Sequence, residues 1–71
     1  MTAQQAHQAF DEVFDEYEAA KFLKKSVQTL RNDRCSRKGP AYLKLGRSVR
    51  YKVSDLLEYL ERHRIDPEEA A

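Results

Sequence analysis

The middle of the chain carries the hydrophobic pattern of two short helices joined by a very tight connection. Asp15 precedes the first helix and Glu18 follows three residues later, which is the spacing of a capping box. This pattern predicts a helix over about residues 16–24. Its inner face comprises Ala19, Ala20 and Leu23.

A second capping residue, Ser26, begins the next element. Val27, Leu30 and Arg34 follow it at helical spacing. Only about two residues separate the two predicted helices, and such a short junction forces them to cross at a sharp angle. The sequence therefore predicts a helix-turn-helix.

Downstream of the second helix, the periodicity changes from helical to alternating. Residues 37–40 break the helix, because Gly39 suits a left-handed or turn conformation and Pro40 cannot continue a helix. Apolar and polar residues then alternate over 42–45 and 49–53. The three intervening residues, Gly46, Arg47 and Ser48, predict a turn, so this region is expected to form a β-hairpin.

The last predicted element is a helix capped by Ser54 and Asp55. Its apolar stripe comprises Leu56, Tyr59, Leu60 and His63. Asp66 and Pro67 end the helix, and residues 66–71 are expected to be a disordered tail.

These elements predict a mainly α fold with a small β-hairpin, a winged helix-turn-helix domain over residues 14–65. Residues 1–13 are expected to be an N-terminal extension, partly disordered or forming a short helix. The residues that favour a leading helix are Ala6, Phe10, Val13, Phe14 and Tyr17, which recur at helical spacing.

The length of 71 residues limits the chain to one domain with a thin core. Such a core can shape a binding surface but leaves little depth for an enclosed pocket. We therefore expect neither an enzyme nor a small-molecule substrate. His7 and His63 lack the ligand spacing of a metal site, and no cofactor motif is present.

The lone Cys35 cannot form an intrachain disulfide, which is typical of a protein from the reducing cytoplasm. No apolar run is long enough for a membrane span, and Met1 to Gln8 lacks the pattern of a secretory signal. We expect a cytoplasmic protein that works without a membrane, associated with the bacterial nucleoid or encoded by a phage.

Charge is distributed very unevenly along the chain, although the formal net charge is only +1. Residues 1–20 carry five acids and no Lys or Arg, and residues 53–71 have a net charge of −4. Between them, residues 21–52 carry eleven Lys or Arg against Asp33 alone, a net charge of +10. A basic block on ordered elements indicates a phosphate-binding face, with a solvated basic surface as the alternative.

Side chains on the second helix suit the reading of DNA bases. Arg can bind guanine and Asn or Gln can bind adenine through paired hydrogen bonds, so Gln28, Arg31 and Asn32 are the candidate base readers. Ser26 and Thr29 stand at the helix start, where they can bind phosphates. The alternative is that these residues only solvate a surface helix.

The predicted hairpin is also basic. Arg47 at its tip and Arg50 on its second strand can enter a minor groove, whereas the alternative is an edge strand protected from aggregation by its charge. Four lysines are candidate phosphate contacts, with a role in solubility as the alternative: Lys24, Lys25, Lys38 and Lys44.

Taken together, these residues resemble the excisionase and AlpA-type helix-turn-helix family, within the MerR-like winged helices. The resemblance covers about residues 14–64 and rests on the order and spacing of several short motifs. These are Glu18-Ala19-Ala20, Leu23, Ser26, Thr29-Leu30, Gly39-Pro40, Lys44-Leu45-Gly46-Arg47, Val49-Arg50-Tyr51 and Ser54-Asp55-Leu56.

The resemblance implies a DNA-binding protein of a phage, plasmid or integrative element. Many family members are recombination directionality factors that bend attachment-site DNA for an integrase, and others regulate transcription. It also implies that the second helix enters the major groove and that the hairpin contacts the adjacent minor groove. The matching positions are Ser26, Gln28, Thr29, Arg31, Asn32 and Arg34 on the helix, and Arg47, Ser48 and Arg50 on the hairpin.

The sequence departs from the family pattern in two places. Lys24 and Lys25 stand where a turn glycine and an apolar residue are usual, and Asp33 stands where an aromatic residue is common. The first departure adds positive charge close to the expected phosphates. For the second, we expect Asp33 to pair with a nearby arginine.

The sequence therefore predicts a non-enzymatic excisionase that binds double-stranded DNA beside further copies of itself and assists an integrase or recombinase. Candidate contacts between copies are Leu57, Ile65 and the stripe containing Phe10 and Val13. One alternative is a transcriptional regulator with the same fold. Another is a protein–protein adaptor, such as an antitoxin-like subunit, whose basic face meets an acidic partner.

Overall fold

The computed structural model describes residues 11–70 as three short strands and four helices. In chain order these are β1 (Val13–Asp15), α1 (Glu16–Leu23), α2 (Val27–Cys35), β2 (Leu43–Leu45), β3 (Ser48–Lys52), α3 (Val53–Arg62) and α4 (Pro67–Ala70). Helices α1 and α2 form the helix-turn-helix, and β2 and β3 form the wing. The predicted fold class, a winged helix-turn-helix, is confirmed.

The starts of both helices agree with the sequence prediction. The Glu18 backbone N–H donates to the Asp15 carboxylate at 2.8 Å, and the Asp15 N–H donates to the Glu18 carboxylate at the same distance, completing the capping box. At α2, the Thr29 N–H donates to Ser26 Oγ at 3.0 Å. These side chains satisfy amides that would otherwise lack an intrahelical partner.

Both helices end with a basic residue in the left-handed conformation. Lys24 has φ +59° and Arg37 has φ +61°. After each of them the next backbone N–H reaches back to the last turn, Lys25 to the Ala20 carbonyl and Lys38 to the Asp33 carbonyl. This bonding is that of a Schellman motif, in which glycine is the usual left-handed residue.

Of the two conformations predicted for Gly39, left-handed or turn, the left-handed one was wrong, because Arg37 has the positive φ instead. The backbone of Gly39 closely approaches α2. A Cβ atom at residue 39 would lie 3.2 Å from the Asp33 Cβ, closer than ordinary van der Waals contact.

The three strands form one antiparallel sheet in the order β1-β3-β2. In the wing, Leu45 pairs with Ser48, so the turn contains two residues, Gly46 and Arg47, rather than the predicted three. Gly46 has φ +65°, and a positive φ at the first turn position only is typical of a type II′ hairpin. The tip of the wing therefore consists of Gly46 and Arg47.

Strand β1 lies where the sequence predicted the end of a leading helix. Phe14 pairs with Tyr51, and Val13 pairs with Lys52, so these two residues extend the sheet. The helical spacing of Phe14 arises instead from its packing on α1, where its ring meets Phe22 edge-on at 5.8 Å. Ala6 and Phe10 lie outside the described residues.

Helix α3 begins two residues earlier than the predicted cap at Ser54 implies. Its N-cap is Lys52, which makes no side-chain capping bond. The first helical amide, Val53 N–H, donates instead to the Glu12 carbonyl at 2.8 Å, while Ser54 Oγ donates to Asp11 at 2.6 Å. The residues just before β1 thus take over the role predicted for Ser54.

The core lies between the three longer helices and β3. Tyr51, Leu30 and Leu56 are its largest fully buried side chains, and their neighbours in the core are Ala19, Ala20, Leu23 and Tyr59. At the C-terminus, residues 67–70 form the short helix α4 where a disordered tail was predicted. Pro67 suits its first position, since that residue needs no backbone donor.

Candidate nucleic-acid interface

The solvent-facing side of α2 is polar and almost continuous. A spacing of four and then three residues places Gln28, Asn32 and Cys35 on one side of the helix, and all three are exposed. Gln28 Nε2 donates to Asn32 Oδ1 at 3.0 Å. This bond leaves the Asn32 amide NH₂ and the Gln28 carbonyl oxygen directed to solvent, a donor and an acceptor of the kind that reads adenine.

At the start of α2, Ser26 and Thr29 are both exposed and lie side by side. Ser26 Oγ donates to Thr29 Oγ1 at 2.8 Å while it caps the helix. The hydroxyls and the first amides of α2 therefore form one polar end, which is where helices favour anions. The structure brings together four of the predicted residues: Ser26, Gln28, Thr29 and Asn32.

Arg31 lies at the edge of this face and is paired with α1. Its Nη2 lies 2.6 Å from Glu16 Oε2, and its Nε donates to the same carboxylate at 3.2 and 3.3 Å. The same Nη2 also donates to the Tyr17 hydroxyl at 3.3 Å. With 41% of its side chain exposed, Arg31 still reaches solvent beside Asn32.

Arg34 lies on the inner side of α2 and is only 19% exposed. Its Nη1 donates to the Tyr51 hydroxyl at 2.9 Å and lies 3.6 Å from Glu16, while its guanidinium stacks 5.7 Å from the Tyr42 ring. Because Tyr51 lies on β3 and Tyr42 lies just before β2, these contacts connect α2 to the wing. The structure thus gives Arg34 an internal role and keeps it apart from the exposed face.

Lys25, a predicted phosphate contact, is also occupied internally. Its ammonium lies 2.6 Å from the Asp33 carboxylate and donates to the Tyr59 hydroxyl at 3.1 Å. The hydrogen bond with Asp33, followed by that with Tyr59, raises the pKa of Lys25 above its ordinary value. The expectation that Asp33 pairs with an arginine was therefore wrong, because Lys25 is the nearer cation.

The wing presents its own basic surface. Arg47 and Ser48 are exposed at the tip, and neighbouring Lys44 is exposed on β2. Arg50 is half-buried, and its Nη1 donates to the Val49 carbonyl at 2.8 Å, which fixes part of the side chain against the strand. A shallow cleft separates the wing from the start of α1. Its lining comprises Asp15, Glu16, Tyr17, Arg34, Arg47, Ser48, Val49 and Arg50.

Charges in the basic block fall into two classes. Within residues 11–70, four of the eleven bases pair with acids: Lys25, Arg31, Arg34 and Lys52. The other seven have no ion pair with any described residue; three lie on the wing, three at the two ends of α2 and one on α1. They are Lys21, Lys24, Arg37, Lys38, Lys44, Arg47 and Arg50.

Three residues of this surface escaped the sequence prediction. Glu16 looked like one of several acids opening a helix, and its proximity to Arg31 depends on how α1 crosses α2. Tyr17 looked like part of an apolar stripe, yet 61% of it is exposed beside Arg31. Arg37 belongs to the segment that ends the helix, and the sequence gives it no role of its own. Its position before Gly39 and Pro40 is the one signal that it lies in the turn.

Other kinds of site find little support in the part of the chain that the structure describes. Within residues 11–70, no three His, Cys, Asp or Glu side chains come together as a metal site would require. No helix in that range is long and apolar enough to cross a membrane. Two of the surface clefts are lined in part by the basic residues of α2 and the wing already named, and a third is lined by Phe14, Glu18, Lys21 and Phe22.

Comparison with protein families matches residues 17–64 to a helix-turn-helix domain model, which is more than half of the chain. The protein belongs to this helix-turn-helix domain family. The family includes the excisionase and AlpA-type small DNA-binding proteins, so the resemblance predicted from the sequence is confirmed. No curated protein matches the sequence. The protein is thus a DNA-binding helix-turn-helix protein, of a family that is typically non-enzymatic.

Proposed function

We propose that this helix-turn-helix protein is an excisionase, a recombination directionality factor of a mobile element. It binds attachment-site DNA in a sequence-specific manner and bends it so that an integrase can bridge its sites. The observation that carries the proposal is the exposed polar side of α2, together with seven bases on α1, at the ends of α2 and on the wing that have no ion pair within residues 11–70. A surface of this charge and chemistry fits duplex DNA.

In this proposal α2 enters the major groove, and its exposed residues read base edges. Gln28, Arg31 and Asn32 contact bases, while Ser26 and Thr29 bind phosphates at the helix start. The wing lies along the adjacent minor groove, where the narrow groove attracts arginine, so Arg47, Ser48 and Arg50 make the contacts there. The phosphate contacts include Lys24, Lys38 and Lys44.

Two residues that the sequence assigned to DNA have a supporting role in this proposal. Lys25 and Arg34 engage internal partners, and 28% and 19% of their side chains are exposed. They hold α2 against α3 and against the wing, respectively. The distance and angle between the recognition helix and the wing depend on Arg34, because it contacts Tyr51 of β3 directly.

The small size of this domain favours the binding of several copies to adjacent DNA sites. A single module of this kind buries only about 600–1,000 Å² on DNA, so useful affinity requires neighbours on adjacent sites. Each copy adds a local bend, and together they shape the DNA for the recombinase. The family that includes excisionases supports this role over that of an adaptor which never touches DNA.

A gel-shift titration tests the proposal with the attachment site of the element that encodes the protein. A scrambled duplex of equal length is the control. On the attachment site we expect shifted bands that appear one after another as the protein concentration rises. Complexes in which the protein bends the middle of the duplex should migrate slowly. Log affinity should fall by about 0.9 per phosphate contact for each unit of log salt concentration. Equal, weak binding to both duplexes would contradict the proposal. Specific binding in one step without bending would favour a transcriptional regulator.

A further inference from the structure

The guanidinium of Arg31 is held along one edge by an acid. Glu16 accepts from Nε and from Nη2, so its carboxylate covers the side of the guanidinium that these two nitrogens form. Among the described residues, Nη1 has no hydrogen-bond partner. The end of the guanidinium, formed by Nη1 and the second proton of Nη2, therefore contacts no acid; the Tyr17 hydroxyl accepts from Nη2 there, and 41% of the Arg31 side chain is exposed.

This exposed end is the part of an arginine that recognises guanine. Two parallel N–H groups match the O6 and N7 acceptors on the major-groove edge of guanine. An unsupported arginine must lose much of its rotational freedom to form that pair. Glu16 removes this freedom in advance, because its carboxylate is 19% exposed at the start of α1 and its three close contacts to Arg31 define the plane of the guanidinium.

We propose that Glu16 is a positioning residue for base readout, which fixes Arg31 to recognise a guanine in the major groove. The inference rests on the proposed function, since it requires α2 to lie in that groove. It assigns to an acid within the basic surface a role in specificity. The negative charge of Glu16 lies close to the DNA backbone and so lowers the affinity for every duplex. Its contact with Arg31 raises the discrimination between bases.

Tyr17 shares the exposed end of Arg31 in the unbound protein. Its hydroxyl accepts from Nη2 at 3.3 Å, and its ring lies 6.0 Å from the guanidinium carbon. Because most of Tyr17 is exposed, the phenol can leave this contact when a guanine accepts a hydrogen bond from the same N–H group. The long bond to Tyr17 and the short bond to Glu16, 2.6 Å, indicate which partner is retained.

The two effects of Glu16 act in opposite directions, which makes the inference testable. A duplex is first selected from a random library by the wild-type protein. Binding of that duplex, of single-base variants and of a scrambled duplex is then compared for wild type and Glu16→Gln. We expect discrimination at one G·C pair to fall roughly tenfold. Binding to the scrambled duplex should become stronger, since a negative charge has been removed.

Three further variants separate the possible explanations. Glu58→Gln removes the same charge from the exposed side of α3 and should leave discrimination unchanged. Glu16→Asp keeps the charge but draws the carboxylate back, so discrimination should fall without stronger binding to the scrambled duplex. Arg31→Lys lacks the planar guanidinium and should lose the same G·C preference, with little further loss when combined with Glu16→Gln.

Each contrary result has a distinct meaning. If Glu16→Gln strengthens binding to every duplex equally, the positioning role is wrong while the DNA-binding proposal stands. If it weakens binding to every duplex equally and thermal unfolding shows a loss of fold, Glu16 is only structural and the inference is likewise wrong. If the wild-type protein selects no duplex at all, the proposed function itself fails.

Discussion

The Lys25 ammonium lies 2.6 Å from the Asp33 carboxylate, and these residues occupy two of the positions at which the sequence departs from its family. An apolar residue and an aromatic one are usual there. The ion pair therefore joins the turn to α2 at positions where apolar and aromatic side chains are usual. Tyr59 of α3 completes the cluster by accepting from Lys25 at 3.1 Å.

This pairing predicts that the two departures depend on one another. Lys25→Val or Asp33→Tyr alone should lower the free energy of unfolding by about 1 kcal/mol, because each leaves one charge without its partner. The double variant replaces the ion pair with two apolar side chains and should be at least as stable as wild type. Denaturant unfolding of the four proteins measures the coupling. Additive losses would mean that the two residues act independently.

Lys24 should contribute to DNA affinity at the expense of stability. Lys24→Gly relieves its left-handed conformation, so we expect the free energy of unfolding to rise by about 1 kcal/mol. The slope of log DNA affinity against log salt concentration should become shallower by about 0.9, because one phosphate contact is lost. Lys24→Ala is the control, with the same loss of binding and no gain in stability. Unchanged binding in both variants would exclude Lys24 from the interface.

Cys35 provides a native probe of the proposed docking face. It is the chain's single cysteine, exposed on the same side of α2 as Gln28 and Asn32. Alkylation by a maleimide should slow in proportion to the fraction of protein bound to its DNA site, and nearly stop at saturation. In the control, Cys35→Ser combined with Glu58→Cys moves the thiol to α3. DNA that protects both thiols equally, or neither, would argue against α2 as the docking helix.

Acid should weaken the fold through Glu16. Hydrogen bonds from Arg31, with the nearby charges of Arg31 and Arg34, hold the pKa of Glu16 below its ordinary value of 4.5. A carboxylate with a lowered pKa stabilises the fold above its unfolded-state pKa and loses that contribution as pH falls through the folded value. The stability difference between wild type and Glu16→Gln should therefore be constant above about pH 5 and shrink below pH 4.5.

The control for this titration is Glu58→Gln, whose carboxylate has no ion pair with any described residue. This variant removes one exposed carboxylate, so it shows how much of the measured pH dependence comes from the loss of a carboxylate alone. A difference between wild type and Glu16→Gln that persists undiminished to low pH would mean that Glu16 contributes through packing rather than charge.

Arg47 should contribute mainly at sites with narrow minor grooves. It is exposed at the tip of the wing, beside Gly46. Arg47→Ala should weaken binding most when A·T-rich sequence flanks the site, because the narrow groove there concentrates negative potential. Gel shifts with A·T-rich and G·C-rich flanks measure the effect, and Lys44→Ala provides a matched loss of charge nearby. Equal weakening on both flanks would remove the minor-groove role of Arg47.

Much of the fold was predictable because its signals are local. The capping box of Asp15 and Glu18, the cap at Ser26 and the glycine turn at Gly46 each operate within four residues. The alternating runs of the wing are equally local. These features place α1, α2 and the hairpin, and with them the side of α2 that carries Gln28 and Asn32.

What the sequence could not predict depends on contacts between distant residues. Strand β1 has three residues and no pattern of its own, and it forms because β3 offers an edge to pair with. The first amide of α3 finds its acceptor forty-one residues earlier, at Glu12. Among the candidate site residues, Arg31 and Arg34 look alike in the sequence. Their unequal exposure follows from how α2 packs against α1 and the wing.

The order of strands has a consequence for how this module can be transplanted. The family match begins at residue 17, after β1 has ended. A fragment cut at that boundary would leave the backbone of β3 without its neighbour, an open edge on which another chain can add a strand. It would also strip Val53 of its acceptor at Glu12. A fusion or shortened version of this protein should therefore keep residues 11–16, or it risks assembling through the edge of the wing rather than on DNA.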